Sequence, residues 1–112
     1  MFQNIKVLNI DFCQENFIVF FLNSQNQVVE AENVFKGGIN KCIIDQRTVY
    51  RKALLHNANS IIVAHNHPSG HLQPSPEDEE VNSILKQAGE IVGCKLLDFI
   101  VFNKTQYYSM DK

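Results

Sequence analysis

The sequence is poor in the features by which many protein classes announce themselves. No uninterrupted apolar stretch approaches the ~18 residues of a membrane span. The opening residues, Met1-Phe2-Gln3-Asn4-Ile5-Lys6, carry no basic segment leading into an apolar one. Neither a membrane association nor a secretory signal is therefore expected. Cysteine is scarce: Cys13, Cys42 and Cys94 are far apart, odd in number and without a Cys-x-x-Cys pair. They have no zinc-finger spacing and read as reduced, buried, small apolar residues of a cytoplasmic protein. Positive charge is also thin, with 10 Lys and Arg against 12 Asp and Glu and a net charge of −2. The nearest basic group is Arg47, Arg51 and Lys52, with Lys36 and Lys41 before it, and it reads as a solvated helix face. Direct nucleic-acid binding, which needs a real cluster of cations, is not expected. Two enzyme signatures are missing as well. No His-Glu-x-x-His helix exists, which excludes the common helix-borne zinc proteases. The His-x-Glu and Pro-Cys-x-x-Cys pair of zinc deaminases is absent too.

What is present suits one folded domain. The chain has 112 residues, 45% of them hydrophobic, enough to bury roughly two-thirds of the surface exposed when unfolded. Ile5–Ile10 alternates imperfectly and reads as an edge strand whose free edge offers a pairing site to another copy. Phe17–Leu22 is a continuous β-prone run, suited to a strand buried on both faces. A turn at residues 23–27 leads to a second strand from Val28 to Phe35, ended by Gly37-Gly38, and the two strands form a hairpin. Asp45 caps a helix whose apolar face is Val49, Tyr50, Ala53 and Leu54. Ser60–Ala64 is a short central strand, with His65 at its end. All three prolines, Pro68, Pro74 and Pro76, fall in the loop that follows. Ser75 at the N-cap, Pro76 at the first helical position and Asp78 at the third open a second helix. Its stripe is Val81, Ile84, Leu85 and Ala88, and Gly93 closes it. Leu96–Phe102 is another buried strand, and Tyr107–Met110 a last one. The order β-β-β-α-β-α-β-β implies an α/β fold.

One run concentrates the chemistry: His65-Asn66-His67-Pro68-Ser69-Gly70, followed by Pro74-Ser75 and Asp78. Each residue alone has an ordinary role. Asp78 suits the third-position acid of a capping box, and His67 before a proline suits a loop. His56 and His71 read as surface or structural residues. Jointly the run says more. In extended backbone, histidines at i and i+2 project to the same side. A helix mouth pointing back at the strand end brings Asp78 to face them. Two imidazoles and one carboxylate form a three-ligand set for a divalent metal with a fourth position left open, as a catalytic zinc requires.

His65-Asn66-His67, Ser75 and Asp78 together resemble the JAMM motif of the JAB/MPN metalloprotease superfamily. The longer string, from Ala64 through Gly70 with Pro74-Ser75 and Asp78, is similar to the RadC-like branch. The similarity extends from about Glu15 to Met110 and takes in Ala53-Leu54, Asn57-Ala58, Leu97-Asp98 and Tyr107-Tyr108-Ser109. It implies one JAB/MPN-like domain over residues 1–112, distantly like the cytidine deaminases, with a mixed sheet flanked by helices. It also implies a glutamate on an early strand beside the metal. Glu15 matches that position best, and Glu30 and Glu32 on the next strand are the alternatives. Phe99 stands where the family usually has His after Leu-Asp, and Gly37-Gly38 replaces Gly-Thr. A counterpart of the helical segment that precedes the domain in full-length RadC proteins is not expected within these 112 residues.

The activity implied is cleavage of a peptide or isopeptide bond. One zinc per chain, held by His65, His67 and Asp78, activates water. Glu15 accepts its proton, and Ser75 either steadies the oxyanion or fixes the helix mouth. A peptide or protein is the expected substrate. The alternatives are a DNA-repair-associated accessory protein, and a non-catalytic interaction module on the same fold. Oligomeric state is not readable.

Overall fold

The computed structural model describes residues 11–37 and 45–111, with side chains outside 35–37. The expected Ile5–Ile10 strand, Lys41, Cys42 and the Gly38 end of the second strand lie outside these residues, as does the side chain of Lys36. The elements run β1 (Glu15–Leu22), β2 (Val28–Gly37), α1 (Gln46–Leu55), β3 (Ser60–Asn66), α2 (Pro76–Val92), β4 (Lys95–Phe102) and β5 (Tyr107–Ser109). They form one mixed sheet of order β2-β1-β3-β4-β5. Only β3 and β4 are parallel, and α2 is the crossover between them. The β1–β2 hairpin, the β1–β3 pair and the β4–β5 pair are antiparallel. The fold class is therefore α/β, as the order of sequence elements implies. No described helix is long and apolar enough to cross a membrane.

The period-2 alternation of the strands sorts side chains onto two faces. Phe17, Val19 and Phe21 of β1 join Ile61 and Val63 of β3 and Phe99 and Val101 of β4 on one face. There they pack against Val49, Tyr50 and Ala53 of α1 and Leu85 of α2. Ile18, Phe20 and Leu22 face the other way with Ala64, Ile100 and Phe102, and Phe12 packs against them. The Phe17–Leu22 run is apolar throughout because both faces of β1 are buried.

The helix ends follow local chemistry. The Asp45 side chain accepts the Arg47 N–H at the start of α1. Ser75 and Asp78 form a reciprocal capping box at the start of α2, with Pro76 in its first turn, and Gly93 closes α2 in the left-handed conformation at φ 84°. Between them Gly89 makes the tightest approach. An added Cβ there would stand 2.6 Å from the Cys94 carbonyl oxygen and 2.6 Å from the Tyr50 hydroxyl. That hydroxyl donates to the Leu85 carbonyl at 2.7 Å and ties α1 to α2.

Several expectations need correction. Leu54 is 59% exposed, and Ile84 also faces solvent. Both helices lie on one face of the sheet, so each buries a stripe narrower than its apolar residues allow. Cys13 is exposed, while Cys94 is buried as expected. β3 runs two residues beyond Ala64, because its pairing with β4 continues through His65↔Val101 and Asn66↔Phe102. β5 stops at Ser109, and the Met110 N–H turns back to the Phe99 carbonyl.

Candidate metal centre

The site lies where β3 ends and α2 begins. Alternation along β3 puts His65 on the face of Ile61 and Val63, over which α2 passes. The loop returns the chain so that the first turn of α2 opens toward His65. A helix N-terminus favours an anion, and Asp78 occupies that turn, 2% exposed. Its Oδ1 is 2.6 Å from His65 Nδ1, and its Oδ2 is 2.8 Å from His67 Nε2. Oδ2 also accepts the Ser75 backbone N–H at 2.9 Å, while Ser75 Oγ accepts the Asp78 N–H at 3.1 Å. Asp78 is thus a capping acid and a partner of both histidines at once. One ligand atom from each of His65, His67 and Asp78 can be chosen so that all lie within 4.8 Å of one another, a group able to hold a metal ion.

The strand register brings in a further carboxylate. Phe17 pairs with His65, and Glu15, two residues before Phe17, points to the same face. Glu15 Oε1 lies 3.3 Å from His65 Nε2. That contact is not aligned as a hydrogen bond, and the buried Nε2 has no hydrogen-bond partner. In the neutral ring that donates from Nδ1–H to Asp78, Nε2 presents a lone pair toward the Glu15 carboxylate, and neither atom supplies a proton. Such an arrangement suits a cation. The donor set and this orphaned nitrogen therefore fit a zinc-type ion.

The glutamates of β2 are engaged elsewhere. Glu32 is bound to Lys52 Nζ at 3.0 Å and His56 Nε2 at 2.5 Å on α1. Glu30 is exposed, and its carboxylate accepts the neighbouring Ala31 N–H. His56 is accordingly structural, and His71 is exposed.

Electrostatics favour the ionised form of Asp78. Burial, the largest single influence, pushes its carboxyl up. The hydrogen bonds from His65, His67 and the Ser75 N–H outweigh burial and hold the carboxyl well below the usual carboxylate range. His67 is moved the other way. Its hydrogen bond to Asp78 raises it above the ordinary histidine value, against the lowering effect of partial burial.

Two hollows adjoin His67. One, of about 270 Å³, has Phe12, Cys13, Pro68, Gly70 and Lys104 among its lining residues. The other, about 490 Å³ and more open, is lined by Ser69, His71 and Ser75 among others. Pro68 and Gly70 face one hollow and Ser69 and His71 the other, so the 67–71 loop forms a wall between them. Sequence reasoning missed Phe12, Cys13 and Lys104, which come together only through folding. It also gave no role to the buried Asn16 and to Asn66. For Asn66 a signal existed, since it stands between the two histidines.

The fold and the site together define a JAB-type domain. The chain matches the RadC-like JAB domain family over residues 2–112, and it belongs to that family. Among curated relatives, a UPF0758 protein of Staphylococcus haemolyticus is 43% identical over 100 residues, covering 89% of this chain and 44% of the relative. A UPF0758 protein of Listeria monocytogenes is 47% identical over 97 residues, covering 87% of this chain and 43% of the relative. One from Flavobacterium johnsoniae is 43% identical over 95 residues, covering 85% and 42%. The chain thus spans less than half the length of these curated relatives.

Proposed function

We propose that this domain is a zinc-dependent hydrolase that cleaves a peptide or isopeptide bond. The observation that carries the reading is the convergence of His65, His67 and Asp78 with the Glu15 carboxylate 3.3 Å from a buried, unpartnered His65 Nε2. His65, His67 and Asp78 would hold the ion. When bound, zinc supplies Lewis acidity toward a carbonyl and lowers the pKa of a coordinated water toward ~7.

The chain's own groups supply the rest. Glu15 takes the proton from the attacking water and delivers it to the leaving amine, the work of a general base that then serves as acid. Ser75 Oγ already accepts the Asp78 N–H, so its hydroxyl proton remains to be donated to the developing oxyanion. Capping by Ser75 and Asp78 fixes the helix mouth, so one pair of residues sets both the fold and the ligand. The hollows on either side of the 67–71 loop give room for substrate on both sides of the scissile bond. The substrate class is a peptide or protein.

The test uses protein purified without chelator, assayed for metal content and for cleavage of peptide and isopeptide libraries. About one zinc per chain and cleavage abolished by Glu15→Gln, with metal retained, are expected. Less than about half a zinc per chain and no cleavage would instead support a non-catalytic interaction module. A salt-sensitive gel shift without cleavage would support a DNA-associated role.

A further inference from the structure

We propose that Asn66 is a positioning residue for Glu15: its carboxamide clamps the peptide units on either side of Glu15 and so aims that carboxylate at His65. The proposal rests on the reading of Glu15 as proton acceptor given above.

The geometry is bidentate. Asn66 Oδ1 accepts the Asn16 backbone N–H at 2.7 Å, and Asn66 Nδ2 donates to the Gln14 carbonyl at 2.9 Å. The first group belongs to the peptide that follows Glu15, the second to the peptide that precedes it. Both ends of the Glu15 backbone are therefore held by one side chain. The β1–β3 register runs from Leu22↔Ser60 only as far as Phe17↔His65. Beyond that point the Asn66 side chain takes over the pairing that a continued strand would have provided. Asn66 is 1% exposed. A buried carboxamide is costly unless both its donor and its acceptor are used, and here both are.

The residue type is closely specified. The site needs one donor and one acceptor on a single short side chain. Aspartate keeps the acceptor and loses the donor, leucine loses both, and glutamine is one methylene too long for the same reach. A second layer supports the clamp. The Asn16 side chain, 0% exposed, donates to Asn66 Oδ1 at 3.0 Å and to the Asp11 and Gln14 carbonyls at 2.9 and 3.0 Å. Asn33 Nδ2 donates to Asn16 Oδ1 at 2.8 Å from the bulge where β2 shifts register against Phe17 and Ile18. Three asparagines from three strands thus form one polar chain that ends where Glu15 begins. A general base must sit within hydrogen-bond reach of its proton, and a displacement of about 1 Å in a reacting group can cost ~10² in rate.

The experiment compares crystal structures, zinc content and kinetics of wild type, Glu15→Gln, Asn66→Ala, Asn66→Asp and the Glu15→Gln/Asn66→Ala double variant. In Asn66→Ala the Glu15 carboxylate should leave His65 Nε2 or lose a single position, while His65, His67 and Asp78 stay in place and zinc content stays at the wild-type value. kcat should fall by about the same factor as in Glu15→Gln, ~10²–10⁴, with KM little changed. The double variant should lose nothing further, because the two residues act as one unit. Asn66→Asp keeps the bond to Asn16 and loses that to Gln14, so it should fall between wild type and Asn66→Ala. It carries the same comparison if the alanine variant does not fold. A Glu15 carboxylate unmoved in Asn66→Ala overturns the proposal. So does a loss of zinc with displaced histidines, which would mean that Asn66 serves the ligands. A wild-type protein without hydrolytic activity refutes the enzymatic reading, and the position of Glu15 in the variants still decides the clamp.

Discussion

Asp78 has two duties, and substitution separates them. It closes the capping box of α2 and partners both histidines, through contacts of 2.6, 2.8 and 2.9 Å to His65, His67 and the Ser75 N–H. Asp78→Asn keeps an oxygen for the Ser75 N–H and His67 and sets an amide N–H against His65 Nδ1, which accepts it once the ring changes tautomer, so the metal-free domain should lose only about 1 kcal/mol. Asp78→Ala removes all three contacts and leaves buried partners unsatisfied, at about 2–4 kcal/mol. For a domain of this size, each kcal/mol lowers Tm by roughly 4–8 °C. Zinc should behave differently. At about 100 times its Kd it stabilises the wild type by ~2.7 kcal/mol, a rise of roughly 10–20 °C. Both variants should lose that rise, because a carboxamide is a poor zinc ligand and alanine is none. The assay is thermal unfolding followed by circular dichroism, with chelator and with a zinc series. A full zinc-dependent rise in Asp78→Asn would refute the assignment of Asp78 as a ligand. An equal loss of chelated stability in the two variants would refute the separate capping duty.

Other outcomes follow from particular contacts. Gly89→Ala should destabilise the domain by about 1–3 kcal/mol through overpacking. Its Cβ would meet the Cys94 carbonyl at 2.6 Å, and a gain in helix propensity of ~1 kcal/mol offsets only part of this; a melt at or above wild type would contradict the packing. Glu32 is held below its ordinary value first by its hydrogen bond to His56 and then by Lys52, against the raising effect of burial. Its folded value lies below its unfolded one, so its contribution is complete above the ordinary carboxylate pKa and is lost as pH falls through the depressed value. Glu32→Gln should therefore flatten the pH dependence of stability as pH falls through and below the ordinary carboxylate range, by less than about 1 kcal/mol. Apparent zinc affinity, read by competition titration, should drop as pH falls through the raised His67 value, by about tenfold per unit for each proton displaced. A flat profile there would remove His67 from the ligand set.

How much of this was legible in the sequence depends on whether the cause was local. Ser75, Pro76, Asp78 and Gly93 act through their own stretch of backbone, and the ends of α2 could be read directly from them. The nearness of His65 and His67 to Asp78 could be anticipated because a short, proline-rich loop connects them. Glu15 is different. It reaches His65 through the register of β1 on β3, which pairs Phe17 with His65 across a stretch of sequence that no spacing announces, and only the family resemblance singled it out. The asparagine chain was invisible for the same reason, although Asn66 lay inside the motif. Leu54 and Ile84 were misplaced because helical periodicity marks an apolar face without saying how much of it a neighbour covers. Cys13 was misplaced because cysteine's usual burial says nothing about one residue at the rim of a hollow.

The coincidence of cap and proposed ligand in Asp78 has a physical logic. A metal-ligating carboxylate must be ionised, and burial alone would raise its pKa and favour the neutral acid. Placing it in the first turn of a helix supplies the Ser75 N–H and the positive end of the helix dipole. Those terms help hold the anion in a site that is 2% exposed. The histidines then meet a carboxylate already charged and already oriented, so little side-chain freedom remains to be lost when an ion binds. Asn66 applies the same principle to Glu15, with a different donor and acceptor. In both cases the chain fixes a carboxylate of the proposed site through backbone hydrogen bonds, which packing holds more rigidly than a free side-chain rotamer. The prediction for Asp78→Asn and that for Asn66→Asp are therefore complementary. The first removes charge and retains position, and the second disturbs position while leaving the charge of Glu15 intact. If both variants lost zinc alike, this division of labour would be wrong.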